Sequence, residues 1–264
     1  MLSTRPVRSH RLCYNLHVDD VIITIPAYEP DEALTTLVRR LLKSFRSVVV
    51  IDDGSVRSRL PFDELRRENG VIVLQHPENK GKGAALKTAF REIIRRFPNA
   101  AGTVTVDADG QHLPEDVLKV ATSMISHPDT LTIGVRTFDK DIPFRSRLGN
   151  LWTCGEFLLL TGVYVRDTQT GLRGIPKSLL RPFLDLPGER YEYEIAMLVN
   201  AVRTFGPVEQ VPVSTVYSPG NPTSHYRPLA DTWKTQRTLF SAAFRRLISP
   251  QRRTPDACPC TTRT

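Results

Sequence analysis

The chain has 264 residues, of which 40% are hydrophobic and 24% are charged, so it can bury the core of one large α/β domain or two small ones. Its net charge of +8 indicates an anionic partner, such as nucleic acid, anionic lipid or a phosphorylated small molecule. The sequence contains no recognisable nucleic-acid-binding module and no interleaved basic and aromatic residues, so we expect no nucleic-acid partner.

The first half of the chain alternates short apolar runs with helical segments. Continuous apolar strands separated by helices are typical of a parallel sheet with helices on both faces. The predicted strands cover residues 21–25, 47–52, 71–75, 103–107 and 131–135. The predicted helices cover about 31–44 and 83–97, and a third begins near Pro114, which favours the first helical turn.

The second half is less regular. It predicts helices over 144–163 and 190–205 and a strand over 208–216. We divide the chain into an N-terminal arm (1–19), one domain (20–228), a basic amphipathic helix (229–250) and a disordered tail (251–264). The N-terminus lacks the apolar region of a secretory signal, and we expect no transmembrane helix, because a span needs about 20 apolar residues. The spacing of the four cysteines predicts free thiols in a reducing compartment.

Polar residues follow several of the predicted strands at the point where each strand ends. In parallel sheets, ligands bind at the carboxyl ends of the strands. We therefore expect a binding site at this edge of the sheet. Its candidate residues are Pro26, Ala27 and Tyr28 after the first strand, Asp52 and Asp53 after the second, Asp107 and Asp109 after the fourth, and Arg136 after the fifth.

The pair Asp107 and Asp109 predicts a metal site. Mg²⁺ and Mn²⁺ are hard cations that take oxygen ligands, and they commonly bridge a diphosphate and neutralise a leaving group. Asp109 is the first choice as a direct ligand, with Gln111 or a water completing the shell, whereas Asp107 could bind metal, the sugar or the ribose. The competing interpretation is a solvated turn without a ligand.

Two further segments predict a nucleotide pocket beside the acidic pair. The segment IDDGS at 51–55 offers Asp52 or Asp53 as an acceptor for a base or ribose. The segment NKGKGAAL at 79–86 fits neither the Walker loop nor the dinucleotide fingerprint. A glycine-rich turn that enters a helix can still hold a phosphate or nucleobase, and Lys82 would add positive charge.

These segments together resemble a known family. PAYEP, IDDGS, NKGKGAAL and DADGQHLPED, in this order, are similar to family 2 glycosyltransferases, and most similar to the dolichyl-phosphate mannose synthase-like branch that includes polyprenyl-phosphate glucosyltransferases. The resemblance covers about residues 20–228. It implies an α/β fold of the GT-A type, which is a Rossmann-like, three-layer nucleotide-diphospho-sugar transferase fold with a mostly parallel central sheet.

The resemblance also implies the roles of the site residues. The donor would be a nucleotide diphospho-sugar of the GDP-mannose or UDP-glucose type, and the cofactor Mg²⁺ or Mn²⁺. The metal ligands would be Asp107, Asp109 and Gln111, and the nucleotide pocket would contain Pro26, Ala27, Tyr28 and either Asp52 or Asp53. The chain departs from the family at Glu29-Pro30, where the family usually has Asn-Glu, and this leaves the role of Glu29 open.

In this branch the acceptor is a polyprenyl phosphate and the anomeric centre inverts. A phosphate acceptor is already ionised and needs positive charge rather than a general base. The resemblance supports Arg136, one of Arg145 and Arg147 (Arg147 is our choice) and Arg227 as phosphate ligands, and arginine suits this task because its fork binds two oxygens. Surface arginines without such a role are the alternative. His112 is expected to shape the loop after the metal site and His225 to position Arg227.

A lipid acceptor predicts contact with a membrane. Residues 151–163 are apolar around one charge, and residues 229–248 combine apolar positions at helical spacing with basic ones. We expect a peripheral protein on the cytoplasmic face of the membrane, with a membrane-protein partner left open; a helix packed on the protein core is the competing interpretation.

Two other functions remain open from the sequence. A hydroxyl acceptor on a saccharide or protein would need a general base, for which Glu192 and Glu194 are the candidates. The rival from another class is a non-enzymatic anion-binding protein.

Overall fold

The structure, a computed structural model, describes residues 17–136 and 144–214, with side chains described in the second range from residue 153 onward. Its centre is a seven-stranded sheet in the order β3-β2-β1-β4-β6-β5-β7. All pairings are parallel except those of β6, which runs antiparallel to both of its neighbours. The strands are β1 (Val21–Ala27), β2 (Ser47–Asp52), β3 (Val71–Gln75), β4 (Gly102–Thr105), β5 (Thr132–Arg136), β6 (Arg173–Pro176) and β7 (Glu209–Val213).

Helices connect these strands and cover the two faces of the sheet. One apolar core packs α1, α2 and α4 against one face, and a second packs α3, α5, α6 and α7 against the other. The helices are α1 (Ala33–Leu41), α2 (Leu60–Leu65), α3 (Lys82–Arg96), α4 (Pro114–Ser126), α5 (Phe144–Thr161), α6 (Lys177–Leu184) and α7 (Glu192–Thr204).

The alternation of strand side chains explains the three layers. In β1, Val21, Ile23 and Ile25 belong to one core, while Ile22 belongs to the other. Since successive side chains of a strand point to opposite faces, a continuous apolar run supplies both cores. The predicted three-layer α/β fold with a mostly parallel sheet is confirmed.

The predicted elements agree with the structure to within a few residues in the first half. β2 and β3 have the predicted limits, whereas β4 ends two residues earlier than predicted, so that Asp107 lies in the loop after it. The sequence prediction missed α2, β6 and α6. Each is short, β6 contains a glycine and a proline, and α6 carries Pro182 within the helix, which disfavours a helical prediction.

Several predictions lie outside the described residues. They concern the amphipathic helix at 229–250, the tail at 251–264, most of the N-terminal arm, and the residues His225 and Arg227. The predicted domain boundaries also stay predictions. Among residues 17–136 and 144–214, no helix is both long and apolar enough to cross a membrane.

Candidate active site

Three charged side chains from distant parts of the sequence meet at the carboxyl edge of the sheet. Asp107 follows β4, Lys82 is the first residue of α3, and Glu194 lies in the first turn of α7. Lys82 Nζ donates to Asp107 Oδ1 at 2.7 Å and lies 2.9 Å from Glu194 Oε2. Burial lowers the pKa of Lys82, but the two carboxylates outweigh this effect, so the pKa is raised and the ammonium stays charged.

Asp107 is held in place by close packing as well as by charge. A Cβ on Gly171 would lie 2.3 Å from Asp107 Oδ2, so only glycine leaves room for the carboxylate. Thr105 Oγ1 donates to the Gly171 carbonyl at 2.7 Å and fixes this loop against β4. Burial raises the pKa of Asp107, but Lys82 and then His112 outweigh it, so the pKa lies well below its usual range. His112 Nε2 lies 3.4 Å from Asp107 Oδ2, and its expected role in shaping the loop stays a prediction.

The pKa of Asp109 is shifted in the opposite direction from that of Asp107. Burial and the neighbouring charge of Asp107 raise its pKa, because the chain supplies no cation as close to Asp109 as Lys82 is to Asp107 within the described residues. The backbone N–H of Gln111 donates to Asp109 Oδ1 at 3.1 Å and orients the carboxylate. A partly buried carboxylate whose charged form is disfavoured by a second carboxylate is stabilised by a bound cation.

The donor set fits a hard divalent ion that shares its shell with a substrate. Within residues 17–136 and 144–214, no group of three or more His, Cys, Asp or Glu could hold a metal ion. Asp107 and Asp109 offer the oxygen donors that Mg²⁺ and Mn²⁺ prefer, and Mg²⁺ is commonly bound by one or two carboxylates together with substrate phosphates. Their role as metal ligands stays a prediction. The predicted role of Gln111 as a further ligand stays a prediction.

The two aspartates at the end of β2 do different things. Asp53 accepts from the backbone N–H groups of Lys80 at 3.0 Å and Gly81 at 2.7 Å, and lies 2.7 Å from His76 Nδ1. Asp53 thereby fixes the glycine-rich turn that starts α3, where Gly81 has a φ of +102°. Asp52 Oδ1 accepts from the Ser55 N–H at 2.8 Å and shapes the turn after β2. Both carboxyl groups are buried, and the predicted contact of either with a base or ribose stays a prediction.

Glu29 joins the two loops of the predicted nucleotide pocket. Its carboxylate accepts from the backbone N–H groups of Val56 at 2.9 Å, Arg57 at 3.2 Å and Ser58 at 2.9 Å, and its own N–H donates to Ser55 Oγ. Its φ is +48°, which is unusual for a residue with a side chain. Burial raises the pKa of Glu29, but the hydrogen bonds from the three backbone N–H groups lower it by more than burial raises it, so the net shift is downward. The role that the sequence left open is therefore structural: Glu29 ties the turn after β1 to the loop after β2.

Three other residues of the PAYEP segment, Pro26, Ala27 and Tyr28, lie beside the same loop after β2. Pro26 and Ala27 end β1 beside Ile51 and Asp52 of β2, and the Ala27 carbonyl accepts from the Asp53 N–H at 2.8 Å. Tyr28 follows directly and is half-buried. All three lie at the carboxyl edge of the sheet, where the sequence predicted them.

Arg136 at the end of β5 is held by a residue that the sequence did not single out. Its Nε donates to Asp167 Oδ2 at 2.6 Å and its Nη2 to Asp167 Oδ1 at 3.1 Å. Asp167 is fully buried and also accepts from the Gln169 N–H. Arg147 lies on α5, Arg227 lies beyond the described residues, and neither side chain is described. The signal that could have found Asp167 is the polar, glycine-containing segment DTQTGLRG at 167–174, which Asp167 begins and which also contains Gly171.

The family is decided by a match over most of the domain. The model of the family described as glycosyl transferase family 2 matches residues 22–178, which is more than half of the chain and contains the acidic pair, the glycine-rich turn and Arg136. The chain belongs to glycosyl transferase family 2.

Individual relatives of this family 2 member agree with that result. The chain is 31% identical over 218 residues to the UDP-N-acetylglucosamine–dolichyl-phosphate N-acetylglucosaminyltransferase of Methanococcus voltae, covering 75% of this chain and 86% of that protein. It is 29% identical over 209 residues to the polyprenol monophosphomannose synthase of Mycolicibacterium smegmatis, covering 73% and 76%.

A solved structure shares the fold of this family 2 member. Glucosyl-3-phosphoglycerate synthase from Mycobacterium tuberculosis, described in complex with Mn²⁺, uridine diphosphate and glucosyl-3-phosphoglycerate, superposes with a TM-score of 0.62 over 85% of this chain and 80% of that chain. The two sequences are 17% identical, so this likeness concerns the fold.

Proposed function

We propose that this family 2 member is an inverting glycosyltransferase that moves a hexose from a nucleotide diphospho-sugar to a polyprenyl phosphate. The observation that carries this proposal is the position of Asp107, Asp109 and Lys82 at the carboxyl edge of the sheet, in a chain with relatives named as dolichyl-phosphate and polyprenol transferases. Carboxylates beside an ammonium suit a metal-bound diphosphate, since they can hold the cation and the phosphate oxygens together.

The donor would bind between the loop after β2 and the glycine-rich turn before α3. Mg²⁺ or Mn²⁺, held by Asp107 and Asp109 with Gln111 or water, would neutralise the charge that develops on the leaving diphosphate. The chain's own residues orient the donor: Asp53 fixes the turn at Lys80 and Gly81, and Glu29 fixes the loop at 56–58. Pro26, Ala27 and Tyr28 would form the wall of the nucleotide pocket, with Asp52 at its base.

The acceptor phosphate would approach from the side of β5. Its oxygen forms the new bond to the anomeric carbon while the bond to the diphosphate oxygen breaks, and the diphosphate leaves with the electron pair. No proton has to be removed from an ionised phosphate, so no general base is needed. Arg136, together with Arg147 and Arg227, would hold the phosphate in line.

This acceptor places the protein at a membrane surface. A polyprenyl chain stays in the bilayer, so the enzyme would work as a peripheral protein on the cytoplasmic face. The basic amphipathic segment at 229–250 would supply the contact with anionic lipid, and a membrane-protein partner would be compatible with it.

The test is a donor screen with a short-chain polyprenyl phosphate. GDP-mannose, UDP-glucose, UDP-galactose and UDP-N-acetylglucosamine are each incubated with Mg²⁺ or Mn²⁺, and the lipid-linked product is measured by mass spectrometry. We expect metal-dependent product from one donor. Slow donor hydrolysis without lipid product would contradict the acceptor, and Glu192 and Glu194 would then be tested as the base for a hydroxyl acceptor.

One variant separates the enzyme from a non-enzymatic anion-binding protein. Asp107→Ala should abolish transfer while binding to anionic vesicles persists, because the acidic pair serves chemistry rather than surface attraction. Vesicle binding without measurable transfer from any donor by the unaltered protein would favour the anion-binding alternative.

A further inference from the structure

We propose that Lys82 is an internal counter-cation that neutralises Asp107 until a divalent cation binds, and that it then moves onto Glu194. This inference rests on the proposed function, because it concerns the same metal and donor site. It assigns Lys82 and Glu194 a joint role in admitting the cation, which goes beyond the binding of phosphate by a lysine.

The contacts of Lys82 place it between two carboxylates. Its Nζ lies 2.7 Å from Asp107 Oδ1 and 2.9 Å from Glu194 Oε2, and its side chain is 16% exposed. Lys82 begins α3, where the helix dipole is positive and disfavours a lysine. The two carboxylates outweigh this cost, so the position of the ammonium depends on both of them.

Glu194 has one carboxylate oxygen that can accept a further hydrogen bond. Its side chain is 8% exposed, and its Oε1 is buried without a hydrogen-bond partner among the described residues. A buried carboxylate oxygen without a donor costs free energy, and a second hydrogen bond from Lys82 would remove that cost. Glu194 can therefore accept the ammonium with both oxygens once Asp107 releases it.

A divalent cation supplies the reason for the release. An ion bound by Asp107 and Asp109 would lie close to the ammonium that now contacts Asp107 Oδ1, and two cations at such a distance in a partly buried site repel each other strongly. Because Lys82 already contacts Glu194, rotation of its terminal torsions is sufficient to move it. The Tyr191 ring, with its centroid 5.9 Å from Lys82 Nζ, lies on the same side and can keep the ammonium near α7.

This movement of Lys82 from Asp107 to Glu194, which we call the hand-over, has a direct consequence for the affinity of the site for the cation. Before the cation binds, Lys82 limits the repulsion between Asp107 and Asp109, but it also competes with the cation for Asp107. Removing the ammonium should therefore strengthen binding of the cation alone, although it removes a positive charge from the donor site. A lysine that contacted neither Asp107 nor Asp109 would have a much smaller effect on the cation in the absence of donor.

The experiment titrates the full chain with Mn²⁺ in the absence of donor and measures free Mn²⁺ by electron paramagnetic resonance. We expect Lys82→Met to bind Mn²⁺ at least about tenfold more tightly than the unaltered protein. Glu194→Gln should bind it more weakly, since Lys82 then loses its alternative partner. The controls are Lys80→Met and Glu189→Gln, which make the same charge changes at exposed side chains next to the site and should leave the affinity within about twofold.

A crystal structure of the unaltered protein with Mn²⁺ gives a second measurement that needs no variant. We expect Lys82 Nζ to have left Asp107 Oδ1 and to lie within hydrogen-bond distance of both Glu194 oxygens. An ammonium that stays on Asp107 with Mn²⁺ bound would overturn the hand-over, and so would a well-folded Lys82→Met with unchanged affinity. Both results would leave the proposed function intact. If the unaltered protein binds no Mn²⁺ yet forms lipid product, the metal-dependent part of the proposed function fails as well.

Discussion

Arg136 and Asp167 form a two-point ion pair in which Arg136 Nε and Nη2 donate to the two oxygens of a fully buried carboxylate. Asp167 lies in the loop before β6, so the pair joins the end of β5 to the segment that also carries Gly171. Guanidinium orientation is set by such two-point contacts. We infer that Asp167 positions Arg136 for its proposed contact with the acceptor phosphate.

Asp167→Asn should therefore impair use of the acceptor more than use of the donor. An amide cannot accept both guanidinium donors as a carboxylate does, so Arg136 loses its fixed orientation. We expect the KM for polyprenyl phosphate to rise by about tenfold or more, and stability to fall by about 1–3 kcal/mol. Steady-state kinetics with each substrate varied in turn checks this.

The matched control for Asp167 is Asp129→Asn, which makes the same change at an exposed residue between α4 and β5. It should leave both KM values unchanged. Equal increases in the KM values for donor and acceptor in Asp167→Asn would contradict a positioning role for Asp167.

Gly171→Ala should damage the proposed metal site, because its side chain would displace Asp107. The added Cβ would overlap Asp107 Oδ2, so the carboxylate or the loop has to move. We expect activity to fall by about 10²-fold, because displacement of a reacting group by about 1 Å costs this much, and stability to fall by about 1–3 kcal/mol. Enzyme assays and urea unfolding measure the two effects.

Gly155→Ala is the control for this substitution. Gly155 is exposed within α5 and an added Cβ would meet nothing within 4 Å among the described residues, so alanine should stabilise the helix by up to about 1 kcal/mol. If Gly171→Ala kept full activity, Asp107 could not be as tightly packed as the structure shows.

Glu29→Gln should weaken donor binding and change the stability profile in acid. The folded protein lowers the pKa of Glu29, so the carboxylate stabilises the fold above its unfolded pKa of about 4.3 and loses this contribution as the pH falls through the lower, folded pKa. The difference in unfolding free energy between the two proteins should therefore be present at pH 7 and shrink in acid. Urea unfolding at a series of pH values measures it.

Glu32→Gln, at an exposed residue beside α1, is the control for the Glu29 series. A Glu29→Gln protein whose stability deficit is independent of pH would show that the carboxylate charge does not bind the N–H groups of residues 56–58. An unchanged KM for the donor would separate this contact from the nucleotide pocket.

The sequence was sufficient for the main features of the fold because local signals carry them. Apolar runs located β1, β2, β3 and β5, and the acids that follow β2 and β4 indicated the edge of the sheet that holds the site. The likeness of the motifs supplied the family. These features depend on residues that are close together along the chain.

The contacts that organise the site depend on residues far apart in the sequence and could not be predicted in this way. Lys82 meets Glu194 only because α3 and α7 pack on the same face, and Arg136 meets Asp167 only because the loop before β6 returns to β5. β6 has four residues and is antiparallel to both of its neighbours, so its position between β4 and β5 follows from tertiary packing rather than from its own sequence pattern.

Asp109→Asn should separate activity from stability. Burial and Asp107 raise the pKa of Asp109, so its charge opposes folding at neutral pH while a bound cation would benefit from it. We expect transfer to fall by about 10²-fold or more and the thermal midpoint to stay equal or rise. Differential scanning calorimetry without metal, beside the transfer assay, checks both, and a large loss of stability would contradict this charge balance.

In the proposed reaction a phosphate, not a hydroxyl, receives the sugar, and a divalent cation is required. The most direct measurement compares polyprenyl phosphate with the matching polyprenol as acceptors for the donor identified in the screen, each with Mn²⁺ and with EDTA. We predict lipid-linked sugar from the phosphate with Mn²⁺ and from no other combination. Transfer to the alcohol would show that the acceptor is a hydroxyl, and undiminished transfer to the phosphate in EDTA would show that no metal is needed.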